Sequence, residues 1–301
     1  MQTHTDGFTP KNSQTSQVPA ANLHQSSGII SPQLIDNHKG FKALGFREKQ
    51  FSGLMDPLVM VDHFTMDRPT FGAHPHAGMS AVTVMFEDSE GLFHNQDSLG
   101  NELDLLPGDL YWLKAGQGAV HDEAPRPGSK THALQVFVNL PATLKQSAPE
   151  ALHVSAATMP ILAAQDYRVR LVLGSSNGVE GVQAPAGGVT ILDGTLSNKG
   201  KFRHTAKASQ GVWVHAIDGT LSVNVQGESL TIPAGKSAAF RNDEQDLPLI
   251  FEGEGPVHFV MLSGDAIQEP FVQQGPFVMS NEREIVAVQQ AYQDGLLGSI
   301  D

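Results

Sequence analysis

The side chains best suited to chemistry lie in two short pairs. One is His74-Pro75-His76, the other His121-Asp122-Glu123. In each pair the ligand-type residues stand at i and i+2. On a β-strand that spacing puts both side chains on one face, roughly 7 Å apart along the chain. Two neighbouring strands facing one cavity would present three imidazoles and one carboxylate to a single ion. Such a set suits a divalent first-row metal better than calcium or magnesium, which prefer oxygen ligands. A single histidine pair at this spacing is common on solvated strands. The second pair, at the end of a Pro/Gly-punctuated segment, turns the pattern toward metal binding.

The elements that must hold these residues read as short strands. Apolar segments at 59–64, 81–86, 110–113 and 134–138 carry β-branched and aromatic residues and are separated by turn signals such as Asp97-Ser98-Leu99-Gly100-Asn101. Helical periodicity is lacking in this half, and many short strands with Gly/Pro turns point to a sandwich or barrel. A second set of strands is expected at 169–173, 188–192, 211–216, 221–225 and 258–262. The stretch 228–235, running into Pro233-Ala234-Gly235, echoes 102–109, running into Pro107-Gly108-Asp109, and suggests an internal duplication. The second half does not repeat the ligands. His204, His215 and His258 have no H-x-H or H-x-E partner and read as ordinary core or surface histidines. Residues 141–166 read as a short helix and linker. The segment 282–297 places Ile285, Val288, Ala291 and Tyr292 at helical spacing, with Ser280 or Asn281 as its cap.

Composition narrows the classes. The chain has 301 residues and is 40% hydrophobic, enough for two domains with substantial cores. Its net charge of −13 argues against direct nucleic-acid binding, since an acidic surface repels phosphate backbones. Cysteine is absent, which removes disulfides, thiolate ligands and cysteine nucleophiles together. No apolar run has the length of a membrane span, and the N-terminus has no secretory pattern, so a cytoplasmic protein without membrane contact is expected. Residues 1–27, rich in Gln, Ser, Thr, Asn and Pro, read as a disordered tail.

Several motifs together carry a family likeness: His74-Pro75-His76-Ala77-Gly78, Asp97-Ser98-Leu99-Gly100-Asn101, Pro107-Gly108-Asp109-Leu110-Tyr111-Trp112, Ala115-Gly116-Gln117-Gly118, His121-Asp122-Glu123, Val138-Asn139-Leu140-Pro141, and Glu269-Pro270 followed by Gly275-Pro276-Phe277-Val278-Met279. The chain resembles the pirin family of the cupin superfamily from about residue 28 onward. The resemblance implies an all-β fold of two jelly-roll type cupin barrels in tandem with a short C-terminal helix. The expected division is a tail over 1–27, a metal-binding N-terminal cupin domain over 28–145, a linker over 146–166, and a C-terminal cupin domain with the terminal helix over 167–301. It also implies that His74, His76, His121 and Glu123 are the ligands and that Fe(II) is the metal, although imidazole and carboxylate also accept Mn, Ni, Cu or Zn.

Bacterial relatives of this kind resemble quercetin 2,3-dioxygenases. The implied reaction is O2-dependent ring cleavage of a flavonol-like enol with release of carbon monoxide. Glu123 either takes the substrate's hydroxyl proton or only anchors the ion. The alternative function is a metal-binding, redox-sensing interaction protein with a protein partner and no turnover; an inert structural bicupin is a third, against which the intact ligand set argues. This chain departs from the common pattern at His63, Ala77, Ser80, Tyr111 and Gln117, which flank the ligands. His94 and His132 are either near neighbours of the site or plain structural residues. Phe64, Met79 and Trp112 are candidate cavity walls or ordinary barrel packing.

Overall fold

The computed structural model describes residues 24–300. It is built almost wholly of antiparallel strands, arranged twice in the same way. The first half has a seven-stranded sheet in the order Glu150–Val154, Leu110–Lys114, Met79–Met85, Thr131–Asn139, Leu58–Met66, Phe41–Arg47, Gln33–Asp36. A four-stranded sheet, His74–His76, Ala119–Pro125, Phe93–Asp97, Glu102–Leu105, completes this barrel. The second half repeats the plan, with seven strands led through Gln210–Asp218 and Val257–Asp265 and four strands led through Thr220–Val225. The duplication read from 102–109 and 228–235 is visible here. Glu102–Leu105 and Glu228–Pro233 are each the edge strand of their four-stranded sheet. Each leads into a glycine with positive φ, Gly108 at 87° and Gly235 at 74°, the conformation that suits glycine.

Strand period fixes which way each side chain looks. Along Thr131–Asn139, Ala133, Gln135 and Phe137 turn into the first barrel, while Leu134, Val136 and Val138 turn outward. The outward face is not wet. It packs against the matching face of the second barrel in one shared core that includes Phe46, Val82, Phe86 and Trp112 from one side and Val172, Ile191, Trp213 and Leu262 from the other. Fully burying a side chain of this size contributes roughly 1.5–3 kcal/mol, so the two barrels stabilise one another. The second barrel's own interior is filled by apolar groups such as Phe202, Phe240, Phe251 and Phe259.

Polar groups are also built into this interface. Buried Arg170, on Tyr167–Leu173, donates to both Asp193 and the Gly108 carbonyl of the other barrel. Beside it three imidazoles form a chain. His63 Nδ1 is 3.0 Å from His215 Nε2, and His63 Nε2 is 2.7 Å from His132 Nε2. One end meets the Asp88 carboxylate, 2.8 Å from His132 Nδ1. The other meets the Lys236 carbonyl and the Ser237 hydroxyl, each 2.9 Å from His215 Nδ1. His258 instead pairs with Asp193 at 2.7 Å, and His204 lies 3.0 Å from the Ser176 hydroxyl.

Two expectations are corrected. Residues 141–166 hold no α-helix. They supply Glu150–Val154 to the first barrel's large sheet and Ile161–Ala163 to the second's, with one 3-10 turn between them. Pro149 and Pro160 interrupt the helical propensity of this Ala-rich stretch, and backbone pairing at two open sheet edges takes its place. Gln25–Ser26, read as part of a disordered tail over 1–27, instead pairs with Arg241 and Phe240 at the edge of the second barrel's sheet. Residues 1–23 lie outside the described residues.

The one α-helix among the described residues is Glu282–Gln293. Its N-cap is Asn281, whose side chain accepts from Glu284 N–H at 3.1 Å, while the Glu284 carboxylate accepts from Ser280 N–H. Its apolar face, Ile285 and Val288, packs with Ala77 and Val120 of the first barrel, although the helix follows the second barrel in sequence. Among the described residues no helix is long and apolar enough to cross a membrane.

Burial pushes His63 down to about 2 and His215 down to about 3, with the neighbouring imidazoles adding to the shift at His63. Both are therefore neutral when folded and take up a proton when unfolded below about 6.5. The unfolded state then binds more protons, so stability is full above about pH 6.5 and falls as pH drops toward the folded values. Urea unfolding across about pH 6 to 4 should show a slope of stability on pH that His63→Leu reduces by roughly 1.4 kcal/mol per pH unit. An unchanged slope in the variant would contradict this account.

Candidate metal centre

The two histidine pairs sit on adjacent antiparallel strands. His74–His76 pairs with Ala119–Pro125 so that His74 lies directly opposite His121 and His76 opposite Ala119. The i, i+2 spacing and this register together aim three rings at one point. His76 Nε2 is 2.9 Å from His121 Nε2, which is 3.2 Å from His74 Nε2. The three ligand atoms lie within 4.8 Å of one another, and no other group of this kind occurs among the described residues.

The chemistry of these nitrogens suits a cation. His74 Nδ1 is 2.8 Å from the Gly72 carbonyl, which can only accept. That contact places the ring's hydrogen on Nδ1 and leaves a lone pair on Nε2. Burial, with the adjacent imidazoles, pushes His76 down to about 3 and holds His121 well below the ordinary histidine range. Neutral imidazoles with converging lone pairs are what a divalent metal takes up. The three histidines fit such an ion without rearrangement of the strands.

Glu123 stands two residues beyond His121 on the same strand and lines the same cavity, yet its carboxylate is not part of the three-histidine group. The Thr83 hydroxyl, from the large sheet, lies 2.7 and 2.9 Å from the two carboxylate oxygens. Burial pushes Glu123 up to about 7; the Thr83 hydrogen bond opposes this and the charge of Asp122 adds to it. The Gln135 side-chain oxygen is 3.2 Å from Thr83 Oγ1. Thr83 can thus donate to an ionised Glu123, or accept from a protonated one and pass its own hydrogen to Gln135.

The cavity beside these groups has a volume of about 180 Å³. Phe41, Phe64, Phe71, Phe93 and Phe137 wall it, with Met60, Met66, Asp62 and Gln135. Of the candidate wall residues, Phe64 lines the cavity. Met79 and Trp112 do not: Met79 packs in a cluster with Val59 and Val278, and Trp112 faces the second barrel. The alternation 60, 62, 64, 66 along Leu58–Met66 would have supplied three further wall residues. His94 lies on the far edge with Asp104 and Arg126 rather than in the cavity, and His132 belongs to the interface chain. Tyr111, one of the departures from the family pattern, donates its hydroxyl to the buried Asp97 carboxylate.

Two β-barrels in tandem, the first carrying a histidine cluster on facing strands and the second a plain apolar core, define a bicupin. Comparison with known proteins specifies it further. Residues 40–138 match the pirin family model and residues 191–298 match the pirin C-terminal cupin domain, so the chain belongs to the pirin family. A pirin-like protein of Arabidopsis thaliana is 31% identical over 248 residues, covering 81% of this chain and 89% of the relative. A Pseudomonas aeruginosa protein provisionally named quercetin 2,3-dioxygenase is 30% identical over 254 residues, covering 80% and 87%. The crystal structure of quercetin 2,3-dioxygenase from Acinetobacter baumannii superposes with a TM-score of 0.80 at 23% identity, covering 91% of this chain and 98% of that one.

The offset between Glu123 and the three histidines makes its part in metal retention a direct measurement. His121→Ala should lose bound metal after dialysis while far-UV circular dichroism stays unchanged, because strand pairing there is backbone-borne. Glu123→Gln should retain metal at near the parent stoichiometry if the histidines carry the ion. Metal loss equal to that of His121→Ala would instead make Glu123 an equal ligand.

Proposed function

We propose that the chain is a metal-dependent dioxygenase of the quercetinase type, acting on a flavonol or similar enol with O2. The observation that carries this reading is the three converging Nε2 atoms placed at a phenylalanine-walled cavity that also holds a carboxyl tuned near neutrality. The relative provisionally named quercetin 2,3-dioxygenase supports it. His74, His76 and His121 would hold the ion, Fe(II) by preference, with Glu123 beside them. Bound there, a ferrous ion supplies open coordination positions and the redox capacity that oxygen chemistry requires.

The protein's own residues do the rest. The phenylalanine walls take the flat ring and keep bulk water from the reacting face. A hydroxyl directed at the histidine cluster comes within the region lined by Glu123. A carboxyl near 7 is well matched to accept and return a proton at neutral pH. Thr83 and Gln135 allow it to hold that proton on a carboxylate oxygen without leaving a buried group unpaired. Glu123 in this account is the proton acceptor, and Thr83 positions it.

The test uses the protein loaded anaerobically with Fe(II). On adding O2 with quercetin or a smaller enol, oxygen uptake should accompany loss of the enol's absorbance, and both should vanish in His121→Ala. Thr83→Val should retain metal and lower kcat by roughly 10–100-fold, the usual cost of removing a partner that orients a site residue. Retained metal with no oxygen uptake for any enol or any first-row metal would overturn the oxygenase reading in favour of a metal-sensing interaction protein.

A further inference from the structure

We infer that the site takes a single-ring hydroxy-ketone rather than a three-ring flavonol, and that Phe71 is the residue that sets this limit. The inference narrows the substrate class of the reading above and rests on its placement of the metal.

Size is the first argument. The cavity measures about 180 Å³. A protein cavity of roughly 150 Å³ lined by apolar groups accommodates benzene, whereas sites for drug-sized ligands run from about 300 Å³ upward. One six-membered ring fills the space between the histidines and the far wall.

Rigidity is the second. Phe41, Phe64, Phe93 and Phe137 are all buried and sit on strands paired on both sides. Phe64 packs against Phe41 at 5.5 Å and against Phe93 at 6.4 Å, and Phe137 meets the His76 ring edge-on at 5.2 Å. Close-packed walls of this sort do not yield a second ring's volume cheaply.

Phe71 differs from every other lining residue, because it alone lies outside a strand. It stands in the strap 67–73, is 58% exposed, and meets Phe41 edge-on at 5.0 Å. The next residue, Gly72, has φ of 68° with open space where a Cβ would be. Its carbonyl is the partner of His74 Nδ1. The strap that carries the outer wall is therefore tied to the same ring whose Nε2 faces the metal position. A ligand with further rings must displace Phe71, and displacing it disturbs the contact that orients His74.

The ligand's chemistry follows from the remaining groups. The largely apolar lining holds no lysine or arginine to receive an anion. A neutral conjugated ring bearing adjacent hydroxyl and ketone oxygens can direct both to the histidine end of the cavity, which Glu123 also lines.

The test compares two probes that share one chelating group, 3-hydroxy-4-pyranone and 3-hydroxyflavone. Binding is read by calorimetry on full-length protein loaded with Zn(II), so no turnover intervenes. The parent should favour the pyranone by roughly tenfold or more, the discrimination a pocket wall can supply. Phe71→Ala, at an exposed position where folding is not at stake, should shift the affinity ratio toward the flavone by roughly the same factor. A parent that binds the flavone as tightly as the pyranone, or a ratio that Phe71→Ala leaves in place, overturns the inference. Pyranone binding that survives His121→Ala would overturn the metal placement and the size limit together. Oxygen uptake is scored separately. The predicted ratio without turnover keeps the size limit and rejects the oxygenase reading; turnover of the flavone by the parent at the pyranone's rate does the reverse.

Discussion

The site depends on a register. His74 and His121 face one another because Pro75 pairs with Val120 and His76 with Ala119. Shifting that pairing by a single residue would send one strand's ligands to the opposite face of the sheet. Register in turn is held by burial, since Val120 packs beneath the terminal helix with Ala77, Ile285 and Val288. The helix at the end of the chain thus braces the strands that carry the histidines. Gly78 makes the same point locally: at φ of 72° its missing Cβ leaves room for the Val278 carbonyl, which a side chain would meet at 2.0 Å.

The large sheet of the first barrel serves two cores at once. Along Leu58–Met66, Met60, Asp62, Phe64 and Met66 border the cavity, while Val61 and His63 look into the second barrel. This explains why a second barrel without ligands is kept closely packed. Its Trp213, Ile191 and Leu262 complete the outer side of the sheet whose inner side supplies Thr83 and Gln135 to Glu123. Arg170 reinforces the join by donating across it to a main-chain carbonyl. The second barrel acts on the site through this shared wall.

The pairing of the histidines was legible because strand period is a local property, readable from two residues and their spacing. The duplicated plan was legible for a similar reason, in the repeated strand-to-Pro–Gly turn. For Trp112 and Met79 the sequence left cavity wall and barrel packing both open, and the reason is physical. Every residue of Leu110–Tyr111–Trp112–Leu113 is buried, and so is every residue of Met79–Met85. With both faces buried, alternation no longer says which side is the cavity. Glu123's link to Thr83 joins residues 40 apart, and the interface chain joins His63, His132 and His215 from three strands; neither leaves a trace in spacing. The terminal helix showed its cap and its apolar face in sequence, but not which barrel that face would meet.

The interface imidazoles have a consequence that follows from counting hydrogens. Three neutral rings own three N–H hydrogens, and the chain from Asp88 to the Lys236 carbonyl contains four contacts to fill. If that carbonyl accepts from His215, one ring must carry an additional hydrogen. If the Ser237 hydroxyl donates to His215 instead, all three rings are neutral and the two N–H groups between the rings point the opposite way, while His132 Nδ1 still donates to Asp88. Turning one buried hydroxyl, together with the release of one proton from the row, therefore reverses the ring-to-ring polarity of a wire that crosses from one barrel to the other.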